Sequence, residues 1–120
     1  MSSILNDTKK LLGIPAEHTA FDPDIIMHIN TVFNVLYQIG AGPKDSFMIT
    51  DDTAQWEEYE TDVNLNLLKS YMYAKVRMMF DPPAGAVKEA LENTIAELEF
   101  RINVYVDPGD TFDEEDDDDS

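Results

Sequence analysis

Glycine and proline divide this chain into four lengths, and that division constrains the fold more than any other feature. Gly13 and Pro15, Gly40 and Gly42, Asp81-Pro82-Pro83, and Pro108-Gly109 each close a stretch in which apolar residues recur every three or four positions. Gly accepts the left-handed backbone that ends a helix, and Pro cannot continue one. Apolar spacing of three and four is the signature of a helix with one face in a core. The chain therefore reads as an all-α fold, a small bundle of about four helices.

The first stretch, "SSILNDTKKLLGIP", predicts a short helix capped by Ser2 or Ser3, with Ile4, Leu5, Thr8, Leu11 and Leu12 on one side. In the second, "FDPDIIMHINTVFNVLYQIGAGP", Asp22 is placed to cap and Pro23 to begin the helix. Ile25, Ile29, Val32, Leu36 and Ile39 form its stripe, widened by Ile26, Phe33 and Tyr37. The third helix, in "DVNLNLLKSYMYAKVRMMFDPP", carries two stripes. One is Leu65, Leu68, Met72, Val76 and Met79; the other is Leu67, Tyr71, Ala74 and Met78. A helix apolar on two sides is either central in the core or shared with another subunit. The fourth, "AGAVKEALENTIAELEFRINVYV", steps through Val87, Leu91, Ile95, Leu98, Ile102 and Tyr105, and Glu97 precedes Arg101 at ion-pair spacing.

Before the third helix lies an irregular excursion, "KDSFMITDDTAQWEEYETD", with an extended piece at Phe47–Thr50 and a capped helical turn after it. It holds the only Trp.

Charge is distributed unevenly. The formal net charge is −17, from 25 acids and 8 bases. Nine acids and no base lie from Asp107 to Ser120, which leaves 16 acids and 8 bases, a net −8, on residues 1–106. Residues 1–106 are read as one helical domain and 107–120 as a flexible, disordered acidic tail with Phe112 as its sole anchor. An acidic body cannot grip a nucleic-acid backbone, which takes clustered Lys and Arg, and has no attraction to anionic membrane. With 43% hydrophobic residues the body can bury a core, and with no Cys it does so without disulfides. No secretory signal pattern or membrane-length apolar run occurs in the sequence, so a cytoplasmic, soluble product is expected.

Signals for catalysis are missing. His18 and His28 have no partner at metal-ligand spacing, and "GAGPKDS" lacks the spacing of a phosphate-binding loop. Carboxylate pairs such as Asp51-Asp52 and Glu57-Glu58 are too common here to single out an acid–base site. The sequence predicts no catalytic residue, no metal site, no cofactor and no enzyme.

Interaction surfaces remain. Trp56 and Tyr59, three apart, face one way on a helical turn, as core residues or as anchors of a protein contact. The methionines Met72, Met78 and Met79 carry the same two readings. Candidate interface residues are Phe47, Trp56, Tyr59, Tyr71, Met78, Ile102 and Tyr105. Candidate docking or channel-facing tail residues are Asp113, Glu114, Glu115, Asp116, Asp117, Asp118 and Asp119.

Taken in order, "ILNDTKKLLGI", "FDPDIIMHINTVFNVLYQIGAGP", "FMITDDTAQWEEY", "LKSYMYAKVRMMFDPP" and "ALENTIAELEFRINV" resemble a tailed-bacteriophage head–tail connector, the small helical adaptor that docks under the portal. The resemblance runs from about Ile4 to Val104. It implies a homo-oligomeric ring, usually of twelve copies, between the portal protein and a stopper or tail-completion protein. It implies a place in the virion neck after synthesis in the host cytoplasm, with genomic DNA as passing cargo. No catalytic residue or cofactor comes with it. Its docking segments correspond to the last helix and the residues after Val104. A second reading is an acidic DNA mimic that inhibits a host DNA-binding protein, and it rests on small size and net charge alone.

Overall fold

The computed structural model describes residues 3–106. Four helices form the body: α1 (Ile4–Leu11), α2 (Asp22–Gln38), α3 (Leu65–Phe80) and α4 (Gly85–Val106). A single 3-10 turn, Trp56–Glu58, interrupts the excursion between α2 and α3. No strand occurs among the described residues, and their one β-type pairing is an isolated bridge between Ser3 and Gln55. The acidic run expected to form a tail lies outside the described residues.

Each helix starts and stops where local chemistry directs it. The Ser3 hydroxyl accepts from the Asn6 N–H at 3.1 Å and begins α1. Gly13, at φ +83°, ends it in the left-handed region. Asn64 begins α3, its Oδ1 accepting from the N–H groups of Asn66 and Leu67 at 2.8 and 3.2 Å. Asp22 behaves differently from its expected capping role. The helix starts at Asp22 itself, and its carboxylate pairs with Lys9 at 2.8 Å.

Lys9 is the main surprise in α1. The expected inward face included Leu11, yet Leu11 is exposed and Lys9 is buried. The reason is the connection between α1 and α2. The Lys9 ammonium donates to the Ala16 carbonyl at 3.0 Å while holding Asp22. A buried ammonium is tolerated only when paired and hydrogen-bonded. Here it ties that connecting loop to the start of α2.

α3 is the centre of the bundle and packs against α1, α2 and α4. Tyr71 and Ala74 from one stripe, and Leu68, Met72 and Val76 from the other, are all buried. Of the two sequence readings of this helix, the central one holds within the subunit. Ile25, Ile29, Val32, Phe33 and Leu36 of α2 complete most of the core. α4 is long and nearly all outside. Its one buried residue is Ile102, while Leu91, Ile95 and Leu98 lie half-buried and Val87 and Tyr105 stay exposed.

Candidate functional site

The candidate anchors divide between inside and outside. Trp56, Tyr59, Tyr71 and Ile102 are buried in the subunit's own core, each at most 4% exposed. Phe47 and Met78 are half-buried, and Tyr105 is 48% exposed. As free surface anchors the first four are therefore corrected: their apolar bodies are already covered within one chain. Of the seven, Tyr105 presents the clearest open face.

The excursion shows why. Trp56 and Tyr59 do face one way, and that way is inward, onto Phe33 of α2. Ring centroids lie 6.1 Å apart for Phe33–Trp56, 4.9 Å for Phe33–Tyr59 and 5.1 Å for Phe33–Phe47. Edge-to-face and tilted arrangements at these distances are favourable beyond the area they bury. The expected extended piece at Phe47–Thr50 forms no strand. Instead the Asn30 amide grips Ile49 on both sides, accepting from its N–H at 2.8 Å and donating to its carbonyl at 3.0 Å. A side chain thus replaces the neighbouring strand that an extended segment would need.

Two tyrosines are held strongly neutral. Burial pushes the Tyr59 phenol up to about 12. Burial also raises Tyr71, and the neighbouring Glu99 adds to it as hydrogen-bond acceptor at 2.8 Å and as a negative charge. Lys75 approaches the same Glu99 at 3.8 Å. This network ties α4 to α3. On the surface, the Asp51 carboxyl lies below its ordinary value because it accepts from the Thr53 hydroxyl and, second, from the Thr53 N–H.

Both histidines pack against phenylalanine rings. His18 meets the Phe21 ring at 5.5 Å and His28 meets Phe80 at 6.4 Å. Among the described residues no group of three His, Cys, Asp or Glu side chains could hold a metal ion. No helix among them is long and apolar enough to cross a membrane.

Two of the open grooves are lined by large exposed apolar side chains. One, of about 670 Å³, runs between the start of α3 and the last half of α4. Leu67, Phe100, Val104 and Tyr105 form its apolar lining, with Arg101 and Glu97 paired at 2.8 Å beside it. The other, of about 530 Å³, lies between α2 and the excursion, where Met27 and Met48 are both more than half exposed. The two share no lining residue and no helix.

Phe100, Met27 and Met48 escaped the sequence reading. Phe100 is 67% exposed. Two residues from Ile102, it is turned about 160° from the buried stripe at the α-helical step. A large aromatic alone on a polar helix face was the available signal. Met27 had the same signal, as it falls between the inward positions of α2.

Residues 4–109 match the model of a family described as phage connector protein. Residues 110–120 lie beyond the match. No curated protein matches the chain, and no solved structure does. With nearly the whole helical body inside the matched span, the chain belongs to the phage connector family, the head–tail connectors of bacteriophages.

Proposed function

We propose that the protein is the structural adaptor subunit of a tailed-phage neck, forming a ring beneath the portal and joining the filled head to the tail. Family membership carries this reading. It is supported by two open apolar grooves on separate elements of the subunit, one on α3 and α4 and one on α2 and the excursion. Identical subunits close into a ring through heterologous contacts, which require two different surfaces on each copy. A subunit with a rigid core and two such surfaces is suited to that work, and it performs no catalysis in it.

Charge supports a place around DNA. Residues 1–106 carry a net −8. A basic channel wall would release counterions and hold the DNA, whereas a wall of like charge lets it slide. In this reading the ring holds about twelve copies, binds portal above and a stopper or tail-completion protein below, and has DNA only as passing cargo. The protein is made in the host cytoplasm and ends in the virion.

Native mass spectrometry of the subunit, alone and mixed with its portal ring, tests this. About one adaptor loaded per portal subunit is the expected result. A protein that neither self-associates nor binds portal under any condition would overturn it.

The inhibitor reading keeps one specific observation in its favour. Asp45, Asp51, Asp52, Glu57, Glu58, Glu60 and Asp62 are all exposed, with no base among residues 45–62. Carboxylates spread over a folded surface are what a DNA mimic needs. Strong, salt-sensitive binding to basic DNA-binding proteins would favour it over the adaptor.

A further inference from the structure

We propose that α4 is an exchangeable arm: it leaves its own α3 as a unit and seats on the α3 of a second copy of the chain.

The attachment of α4 is narrow. It packs on α3, with Ile102 fully buried and Ile95 and Leu98 half-buried against the same core. One polar cluster reinforces that contact. The Tyr71 hydroxyl donates to the Glu99 carboxylate at 2.8 Å, and the Lys75 ammonium stands 3.8 Å from it. A helix satisfies its backbone internally, so α4 can leave without orphaning its own amides. The cluster of Phe33, Trp56 and Tyr59 contains no residue of α4 and stays packed when it goes.

The linker supplies the hinge. Only residues 81–84 join α3 to α4. Asp81 and Pro82 each precede a proline, which favours extended backbone, and Asp81 has φ −148° and ψ 68°. The reversal into a hairpin therefore relies on Gly85, which has φ +62°. A Cβ on Gly85 would meet nothing within 4 Å, so the position calls for glycine through its backbone conformation and not through crowding. An opened linker runs straight into the helix and needs no left-handed residue. Short hinge loops held in such a conformation favour exchange between copies.

Charge and shape identify the occupant. Departure of α4 uncovers Tyr71 and Ala74 on α3, and burying that apolar surface again is favourable. α3 carries three bases, Lys69, Lys75 and Arg77, and no acid. α4 carries four acids, Glu89, Glu92, Glu97 and Glu99, against two bases. Two copies with a net −8 on residues 1–106 repel at most faces, yet an acidic α4 on a basic α3 is attractive between them. The arm of a second copy also brings the same Ile102, and the same Glu99 for Tyr71 and Lys75. Exchange is a low-cost route to association because it reuses a contact that already fits. The exchange itself does not depend on the adaptor reading; its use in linking ring neighbours does.

The chain has no Cys, so a nitroxide can be placed at one site by Asn93→Cys, on the exposed side of α4. Isotope-labelled chains without nitroxide are mixed at high concentration with unlabelled chains that carry it, and incubated to equilibrium. The Ala74 and Met78 amide signals of α3 should weaken relative to those of Asn34 and Tyr37 on α2. Gly85→Ala in both chains should raise the exchanged fraction roughly ten-fold for each hinge relieved, because only the hairpin keeps alanine in the left-handed region. Gly85→Asn should raise it less, since Asn tolerates that region. No loss of signal between chains, in the wild type or in Gly85→Ala, would overturn the proposal. A loss of the same size in all three proteins would also overturn it, since the copies would then touch through standing surfaces. Failure of the adaptor reading would show separately, as absence of loading on portal.

Discussion

The excursion before α3 and the helix α4 invert the usual pairing of regularity with burial. Residues 44–64 have one 3-10 turn and otherwise irregular backbone, yet Ile49, Trp56, Tyr59 and Val63 are buried. α4 has 22 residues of unbroken helix and buries only Ile102. The excursion is fixed by cross-links to other elements: Asn30 on Ile49, the Ser3–Gln55 bridge, and the Ile4 N–H donating to the Ala54 carbonyl at 3.0 Å. α4 satisfies its backbone internally and needs α3 only along one face. Most of its remaining surface is exposed, apart from Val106, which approaches Gly40 at the end of α2.

The sharpest test of that contrast is to remove one large side chain from each region. Trp56→Ala should destabilise the subunit by about 3–5 kcal/mol, the cost of emptying a large aromatic site in a core. Stability of a domain this size is about 5–15 kcal/mol, so the variant should lie near unfolding at moderate temperature. Urea denaturation followed by far-UV circular dichroism would measure it. A change below about 1 kcal/mol would mean that the excursion is peripheral after all.

Gly42 probes how tightly the excursion closes on α2. A Cβ there would overlap the Tyr59 hydroxyl and lie 2.5 Å from Cζ of the ring. Gly42→Ala should cost about 1–3 kcal/mol, as overpacking does, because Tyr59 is held among Phe33 and Phe47. The Thr61 hydroxyl donates to the Ala41 carbonyl at 2.7 Å and fixes the same turn from the other side. Combining Gly42→Ala with Tyr59→Phe should recover part of the loss, measured as the shift in urea midpoint.

The helices were legible because α1 to α4 each obey a local rule that sequence displays: Ser3 before α1, Pro23 at the start of α2, Gly13 and Pro82 as stops. The inward stripe of α2 was legible for the same reason. What escaped was decided by contacts between distant residues. Nothing in the spacing of α1 shows that Lys9 will find Asp22 and displace Leu11 from the inward face. Nothing near Ile49 shows that Asn30 will supply its missing strand partner. For Trp56 and Tyr59 the shared direction was readable and its sense was not, because inside and outside are defined by Phe33, which lies more than twenty positions away. The apolar face of α4 was readable, but it overstated the helix's burial, since α3 covers only part of the length.

A smaller effect should appear in alkali. Tyr59 has its folded-state value pushed up to about 12, above the ordinary value of 10.0. A group raised on folding contributes stability that is complete below its unfolded value and is lost as pH climbs through the folded one. Tyr71 is raised for the same primary reason, burial, with Glu99 adding to it. The urea midpoint should therefore hold steady up to about pH 10 and fall above it. Tyr59→Phe and Tyr71→Phe should each make that fall shallower. Equal slopes in all three proteins would show that the two phenols are not sequestered.

The smallest expected change in stability belongs to Phe100→Ala, and it is the most informative about α4. Phe100 is 67% exposed and lies on the side of the helix away from Ile102. Removing an exposed side chain that fills no cavity should move folding stability by no more than about 0.5 kcal/mol. If α4 serves neighbours rather than its own core, the same substitution should weaken self-association or loading on portal while the urea midpoint stays in place. Trp56→Ala cannot separate those readouts, because a subunit that unfolds also fails to assemble. Phe100→Ala can, since the packed aromatic cluster of the excursion stays intact in it. Unchanged assembly would move the contact to the Met27–Met48 groove, where Met48→Ala is the matching test. An unfolded Phe100→Ala subunit would instead show that α4 is integral to the core, and the contrast between the two regions would fail.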